Sequence, residues 1–275
     1  MLGAGWTQVA ALVAAFGIAV AATPAGVSGA VLLLPFQVSV LGTPSPAVTP
    51  TNLLYNVVAT PGALYRYWRQ GQTSRRLALV LIAGTTPGVV AGSVIRVELL
   101  PGPRVFALIV GAVLVPLGAW LALTRPPPSA ASGPPGSPDG TQLDFRLGVR
   151  KAAWLVALAA AVGCAGGIYG IGGGSILAPV LIGTGRPPAL VAPAALASTF
   201  VTSVAGVLTF AVLAAHHAGP VAPDWPTGIA LGLGGLAGGY TGARVQARLP
   251  DRLLRRMIGV VVLAIGVRYL VIGLA

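Results

Sequence analysis

The stretch AGGIYGIGGGSILAPVLIG, which runs from Ala165 to Gly183, combines backbone freedom with an apolar run. Six of its first ten residues are glycine, and most of the nine that follow are apolar. Irregular backbone inside a bilayer is tolerated only where it is buried in protein or lines a watery cavity. The stretch therefore predicts a broken or re-entrant helix within a membrane protein.

The composition of the chain points to the same class. Of its 275 residues, 55% are hydrophobic and 8% are charged, whereas soluble domains carry about 25% charged residues. The net charge of +12 comes from 17 basic and 5 acidic residues. The basic residues fall in short clusters between apolar runs, a pattern typical of membrane proteins rather than nucleic-acid binders. We expect an all-α, multi-pass protein of the cell membrane whose surroundings are the lipid bilayer.

Ten apolar segments approach the roughly 20 residues that a membrane helix needs. They are 6–22, 24–41, 45–65, 77–95, 104–123, 151–165, 167–183, 188–214, 226–246 and 255–274. Of these, 24–41 and 167–183 either span fully or re-enter. Residues 125–150 are rich in Pro, Gly and Ser and predict a flexible linker. The chain thus divides into a first membrane repeat (1–124), the linker, and a second membrane repeat (151–275).

The two repeats resemble each other in sequence. The stretch 26–42 aligns with 170–186, and the later glycines match in the same order. The aligned pairs are Gly26 with Gly170, Gly29 with Gly173, Pro35 with Pro179, Gly62 with Gly206, Gly84 with Gly234, Gly88 with Gly238, Gly92 with Gly242, Gly111 with Gly259, and Gly118 with Gly266. This order indicates an internal duplication.

The distribution of arginine predicts the orientation. Arg-rich stretches at 66–76, 125–150 and 248–256 belong in the cytoplasm by the positive-inside rule. The loops 96–104 and 215–225 then lie outside. Five segments per repeat satisfy these placements, and an odd number means that the repeats are inverted. Inverted repeats are a recurring plan of secondary transporters.

The glycines admit two interpretations. Breaks at 23–29 and 170–174 would expose N–H groups at the following helix starts, which suit an anion. Alternatively, glycines permit close helix packing, the interpretation we favour for 231–243 and for the glycines of 84–92. A nucleotide-binding loop is not supported, because no strand pattern precedes the glycines and no acidic partner follows them.

Polar residues in the apolar segments are the other candidates. Asn52 and Asn56 are four residues apart and share a helix face. Hydroxyls here either bond between helices or line a polar cavity, and the asparagines favour a cavity. The predicted substrate-binding residues are Gly26, Ser28, Gly29, Thr51, Asn52, Tyr55, Asn56, Gly170, Gly172, Gly173, Gly174, Ser175, Ser198 and Thr199.

The sequence lacks the residues that ion relays, catalysis and metal binding usually require. The five acidic residues lie in loops or at segment ends, so no carboxylate is predicted in a membrane core, where proton and sodium relays usually place one. No Lys or Arg lies deep in a predicted span; Arg186 and Arg268 come nearest. His216 and His217 are predicted to be solvated loop residues. With no Ser/His dyad, paired Asp or metal-ligand spacing, we expect neither enzyme activity nor a cofactor or metal.

Two copies of one pattern carry a resemblance to a known family. They are GVSGAVLLLPFQVSVLGTPSPAVTPTNLL and GIYGIGGGSILAPVLIGTGRPPALVAPAALAST. This pattern resembles the sulfite exporter TauE/SafE family. The resemblance implies a secondary transporter that exports sulfur-containing or organic anions such as sulfite or sulfoacetate by alternating access between the repeats. A non-transporting membrane scaffold is the alternative, and a homodimer is compatible with either.

Overall fold

The structure is a computed structural model that describes residues 4–25, 27–44, 46–71, 74–100, 103–123, 149–183, 188–217, 219–245 and 251–274. These residues form ten α-helices and contain no strand. The helices are α1 (Ala4–Ala22), α2 (Ala30–Phe36), α3 (Val48–Arg69), α4 (Arg75–Glu98), α5 (Pro103–Leu123), α6 (Val149–Tyr169), α7 (Gly173–Gly183), α8 (Pro188–Ala214), α9 (Trp225–Val245) and α10 (Asp251–Leu274). The predicted all-α class is confirmed.

Most predicted segments coincide with one helix to within about a turn. The segment 24–41 instead begins with a 3₁₀ turn (Thr23–Ala25), continues as α2 and ends in a π-helical turn (Gln37–Leu41). The segment 167–183 is divided, because α6 continues to Tyr169 and α7 begins only at Gly173. Most of the linker 125–150 lies outside the described residues, and its last two residues already belong to α6.

The lengths of the helices fit a membrane protein. Among the described residues, three stretches are long and apolar enough to cross a bilayer: Gly5–Ala22, Arg75–Glu98 and Ala189–Ala214. Three shorter apolar stretches accompany them: Ala30–Leu41, Val156–Tyr169 and Val262–Leu274. The shortness of the first of these follows from the break that precedes α2.

Local signals mark several helix ends. After α3, Gly71 adopts a φ of 69°, the left-handed conformation that ends helices most readily at glycine. The Ser74 hydroxyl accepts a hydrogen bond from the Leu77 N–H at 3.4 Å and caps α4. Asp224 caps α9 by accepting from the Thr227 N–H at 3.2 Å and from the Thr227 hydroxyl at 2.7 Å.

Glycine ridges bring four helices into backbone contact in two pairs. On α4, the ridge Gly84, Gly88 and Gly92 lies against Ala159, Ala160 and Cys164 of α6. On α9, the ridge Gly234, Gly238 and Gly242 lies against Leu12, Phe16 and Val20 of α1. A Cβ at Gly88 or Gly238 would overlap a backbone carbonyl of the facing helix. The predicted packing role is confirmed, since small residues let membrane helices approach to backbone contact.

The other helix pairs follow the same correspondence. Helix α3 packs on α9 and α8 packs on α4, with Gly62 facing the Leu236 carbonyl and Gly206 facing the Val89 side chain. Helix α5 packs along α10, with Gly118 against Leu263 and Gly266 against Val115. Exchanging α1–α5 with α6–α10 leaves these pairings unchanged, as an internal duplication would produce.

The central pair, α3 and α8, is antiparallel. Near one end, Ala63 and Tyr67 of α3 pack with Ala192 and Leu196 of α8. Towards the other end, Leu53 packs with Phe210. We call the end that holds Thr49, Glu98 and His217 the upper end, and the end that holds Trp68 and Arg75 the lower end. Neighbouring α9 runs parallel to α3, because Gly228 meets Leu54 and Gly232 meets Val58.

The upper end differs from the sequence prediction in one respect. The stretch 96–104 was predicted to be a loop, but α4 continues to Glu98, and Arg96 is fully buried. Glu98 forms an ion pair with His217, with Nε2 and Oε1 3.0 Å apart. The hydrogen bond between the His217 ring and the Leu213 carbonyl is the largest cause of a raised pKa of His217, and the contacts with Glu98 raise this pKa further. His217 is partly exposed in its loop, as predicted.

The glycine ridges should be intolerant of a single methyl group. We expect Gly92→Ala to destabilise the protein by about 1–3 kcal/mol, because its Cβ would overlap the Cys164 carbonyl. Gly17→Ala is the matched control, since a Cβ there meets nothing within 4 Å. Thermal unfolding of both variants in detergent provides the measurement, and equal melting temperatures for the two would contradict the packing role of Gly92.

Candidate functional site

The break between α6 and α7 requires glycine at two positions. Gly170 and Gly172 have φ values of 83° and 72°, which other residues rarely adopt. Gly170 also lies against the backbone of Thr49, so a side chain there would meet α3. The Gly173 N–H, at the start of α7, donates to the Thr202 hydroxyl at 3.3 Å. The break is thus held by α3 on one side and α8 on the other.

The two further glycines of this stretch have packing explanations of their own. A Cβ at Gly173 would overlap Thr85 of α4, and a Cβ at Gly174 would overlap the Ala195 carbonyl of α8. The glycines therefore let α7 lie close to α4 and α8. The close-packing interpretation, which the sequence left open here, accounts for these two residues.

The break before α2 is built differently. The Ser28 hydroxyl accepts a hydrogen bond from the Ala30 N–H at 3.2 Å and so satisfies one donor at the helix start. Gly29 lies under the Tyr55 hydroxyl, and a Cβ there would meet that oxygen at 2.5 Å. The predicted site residue Gly26 lies outside the described residues.

The structure brings the two breaks together. The backbone N–H of Ser28 donates to the hydroxyl of Ser175 at 3.3 Å, although the two residues are 147 positions apart in sequence. The Ser175 hydroxyl donates to the Ile171 carbonyl and lies 3.2 Å from the Thr199 hydroxyl. The first break thus completes its hydrogen bonding with a hydroxyl from the other half of the chain.

Asn56 lies at this junction with part of its side chain unused. It is fully buried, and its Oδ1 accepts a hydrogen bond from the Ser28 hydroxyl. Its Nδ2 has no hydrogen-bond partner among the described residues. A buried amide donor without a partner costs about 1–3 kcal/mol. The amide therefore keeps a buried donor that no described residue uses.

A row of hydroxyls on α8 continues the polar centre. Ser198, Thr199, Thr202 and Ser203 are all fully buried. The Ser198 hydroxyl lies 2.9 Å from that of Thr85, and Thr202 bonds back to the Ser198 carbonyl at 2.7 Å. The Ser203 hydroxyl has no partner in the described part of the chain. A Cβ at Gly172 would meet Thr199 and Ser203, so the row borders the chain break.

Two predicted residues on α3 are engaged elsewhere. Asn52 donates to the Ala30 carbonyl at 2.9 Å and accepts from the Gln37 amide at 3.0 Å, which fastens α2 to α3. Thr51 donates to the Ala47 carbonyl at 2.7 Å and accepts from the Asp224 N–H at 2.8 Å, towards the upper end. Asn52 and Thr51 therefore hold the scaffold, whereas Asn56 faces the junction.

A cleft leads from the junction along α3 towards the lower end. It has a volume of about 230 Å³, counting the space at its mouth. Its lining residues are Thr23, Ser28, Gly29, Tyr55, Ala59, Thr60, Ala63, Leu196, Gly235 and Gly239. Oxygen atoms from four of these residues give it a polar side without a formal charge. The cleft is narrow.

At the upper end, a buried arginine ties three segments together. The Arg96 Nε donates to the Thr49 hydroxyl at 3.3 Å, and its guanidinium also donates to the Leu100 carbonyl. The Thr49 hydroxyl in turn donates to the Ile168 carbonyl at 3.2 Å. Nearby, the Tyr169 hydroxyl donates to the Val31 carbonyl at 2.9 Å. These bonds close the upper end above the junction.

Sequence reasoning missed several of these residues. Arg96 was assigned to a loop, Gln37 and Thr85 were not singled out, and Thr202 was noted among the hydroxyls of its segment but not among the predicted site residues. Gln37 sits in an apolar run and was the one available signal, since its amide is as costly in lipid as that of Asn52. No sequence signal pointed to the burial of Arg96, because it depends on how far α4 continues.

The electrostatics of the junction come from neutral groups. Glu98 and Asp224 are the acidic residues whose side chains the structure describes, and neither lines the cleft. No group of three His, Cys, Asp or Glu residues that could hold a metal occurs among the residues the structure describes. The donors on hand are an amide, hydroxyls and backbone N–H groups.

Comparisons with known proteins assign the chain to a family. The model of the sulfite exporter TauE/SafE family matches residues 11–269. Two curated relatives, each described as a probable membrane transporter protein, come from the Temecula1 and 9a5c strains of Xylella fastidiosa. Each is 26% identical over 246 residues, covering 88% of this chain and 87% of the relative.

No solved structure matches the chain. The family model nevertheless covers nearly the whole length, including both chain breaks and all the helices of the junction. The resemblance drawn from the two glycine-containing copies is thereby confirmed. The chain belongs to the sulfite exporter TauE/SafE family of membrane transporters.

Proposed function

We propose that the protein is a secondary transporter that exports small sulfur-containing or organic anions such as sulfite or sulfoacetate. The observation that carries the proposal is the buried Asn56 amide, whose Nδ2 has no partner among the described residues at the meeting point of the two breaks. A donor held ready in the centre of a membrane transporter suits an acceptor-rich solute. A membrane scaffold would have no use for such a costly group.

The substrate site in this proposal joins both halves. Asn56, Tyr55 and Ser28 contribute from the first half, and Ser175, Ser198 and Thr199 from the second. The glycines at 29, 170 and 172–174 let the helices approach closely enough for these groups to converge. Asn52 and Thr51 serve the site by fixing α2 and the upper end of α3.

Neutral donors suit a carrier of weak acids. They stabilise an anion without the burial cost of a full positive charge, and they release it readily. The charge of the anion can be balanced by a proton that travels on the substrate itself, as in bisulfite. This coupling needs no carboxylate in the protein, and no described carboxylate lines the cleft.

The proposal of alternating access rests on a difference between the two ends of the molecule: a cleft extends towards the lower end, whereas hydrogen bonds close the upper end. The lining of the cleft extends from Ser28 to Ala63, and Arg66 and Arg69 follow Ala63 along α3 at the lower end. The positive-inside rule assigns this end to the cytoplasm. The upper end is closed by the bonds around Arg96 and Thr49. The present conformation is then inward-open, and transport requires the upper bonds to break.

The membrane topology in this proposal is two inverted repeats of five segments, with the plasma membrane as location. Support comes from the antiparallel α3 and α8 and from helix pairings that survive exchange of the two halves. Inverted repeats with discontinuous helices are a common plan of secondary transporters.

Labelling of single cysteines in a Cys164→Ala background tests the topology. Ser74→Cys and Arg256→Cys should react only from the cytoplasmic side, and Ala222→Cys only from outside, because the first two lie at the lower end and the third in the upper loop. A membrane-impermeant thiol reagent applied to whole cells and to inverted vesicles gives the measurement. Reaction of Ser74→Cys and Arg256→Cys from opposite sides would overturn the inverted plan.

Anion flux tests the site. In proteoliposomes, radiolabelled sulfite uptake by the wild type should exceed that of empty liposomes, and Asn56→Asp should reduce it about tenfold or more. The near-isosteric carboxylate replaces a donor with a repulsive charge, and a hydrogen bond to a charged group contributes about 1.5–3 kcal/mol.

A matched pair on α8 controls for damage to the fold. Thr199→Val removes a hydroxyl at the junction, whereas Thr209→Val removes one that bonds only the Ala205 carbonyl away from it. Only Thr199→Val should lower the flux. Full activity of Asn56→Asp would move the site elsewhere, and absence of flux in a folded wild type would favour the scaffold.

Loss of the arginine at the upper end should shift the protein towards an outward-open state. We expect Arg96→Gln to speed external thiol labelling of Ser93→Cys about tenfold, because Ser93 is fully buried one turn before Arg96 and a charge-assisted bond is lost. Arg104→Gln, an exposed change near the same end, is the control. Equal labelling rates in the two backgrounds would remove Arg96 from the gate.

A further inference from the structure

A second recess lies on the flank of the lower end, away from the cleft. It is formed where the end of α3, the start of α4 and the start of α8 meet, and it has a volume of about 530 Å³, counting its open mouth. We call it the flank groove. Its lining residues are Leu64, Trp68, Ser74, Arg75, Ala78, Pro193, Ala194 and Ala197. None of these residues belongs to the proposed anion site.

The floor of the flank groove is apolar. Leu64, Ala78 and Ala197 are half-buried, Ala194 is buried, and together they bring no polar side-chain atom into the groove. The wall is Trp68, which is 65% exposed although it is the largest side chain present. Such a surface suits a hydrocarbon chain better than a polar solute.

The mouth of the groove is positively charged. Arg75 is exposed at the rim beside the Ser74 hydroxyl. Arg69 and Arg76 are exposed on the same two helix ends. Of the acidic residues in the described ranges, Glu98 and Asp224 lie at the upper end, and Asp251 lies at the lower end on a different helix, at the start of α10. The rim therefore attracts a negatively charged group.

The position of the groove fits the boundary of a bilayer. Tyr65 and Trp68 are both more than half exposed, and their ring centroids are 6.2 Å apart. The Arg69 guanidinium lies 6.0 Å from the centre of the Tyr65 ring. Exposed Trp and Tyr next to arginines are typical of the headgroup level. One turn along α4 from Arg75, Leu79 is 65% exposed, as expected of a residue that faces lipid.

We infer that the flank groove is a binding site for an anionic phospholipid. An acyl chain lies on the floor between α3 and α8, and the phosphate of the headgroup is held by Arg75 with the Ser74 hydroxyl. Three features point to one molecule with an apolar tail and a negative head: the apolar floor, the positive rim and the headgroup-level aromatics. Such a lipid would join the end of α3 to the start of α8, two helices that also carry the proposed anion site.

Native mass spectrometry of the delipidated full-length protein tests the inference. The protein in detergent is offered equal amounts of phosphatidylglycerol and phosphatidylcholine. The wild type should retain phosphatidylglycerol preferentially, and Arg75→Gln should reduce that preference about fivefold, the effect expected for one arginine at a membrane surface. Arg256→Gln, an exposed change at the same end but on α10, should leave the preference unchanged.

Two groove-filling variants test the acyl-chain part. Ala197→Leu and Ala78→Leu should each lower retention of phosphatidylglycerol while leaving the thermal unfolding of the delipidated protein close to that of the wild type. Inorganic phosphate should not compete with the lipid. Equal retention of both lipids by the wild type, equal effects of Arg75→Gln and Arg256→Gln, or displacement by inorganic phosphate would each overturn the inference.

Discussion

The structure depends on satisfying the backbone groups that the two helix breaks leave without helical partners. The hydrogen bond from the Ser28 N–H to the Ser175 hydroxyl is the bond that does so between the two halves. A chain that breaks its helices among apolar side chains must still satisfy the freed backbone groups, because lipid offers no partners. The protein meets this requirement by placing its two breaks against each other. Ser28, Ser175 and Thr202 supply the bonds that the missing helical turns would have made.

The two halves have equivalent helix pairings but place different side chains at the junction of the two breaks. In the alignment that pairs Gly29 with Gly173, Asn56 corresponds to Phe200, and Thr199 corresponds to Tyr55. One half contributes amides and a phenol, and the other contributes small hydroxyls. A site formed by such complementary halves is not itself symmetric. The groups that face the junction therefore differ from one side to the other, although the helix pairings are the same in both halves.

Much of this fold could be predicted because local patterns in the sequence determine it. Apolar runs mark the helices, and the spacing of Gly84, Gly88 and Gly92 marks a packing face. The juxtaposition of the two breaks was also predicted, because the glycine-containing stretches occupy equivalent places in the two halves. The placement of Arg96 could not be predicted, because its burial depends on the length of α4 and on neighbours from α3. The partners of Thr85 and Gln37 were likewise set by tertiary contacts that no spacing reveals.

The glycine ridges bear on how the molecule can move. Where a helix rests on the carbonyls of its neighbour, as α9 does on α1 and α4 does on α6, sliding by even a fraction of a turn drives backbone into backbone. Contacts between α3 and α8 run instead through side chains such as Leu53, Phe210 and Leu196, which can change rotamer. Sliding of α9 along α1, or of α4 along α6, is therefore opposed by backbone contact, whereas α3 and α8 can adjust to each other through their side chains.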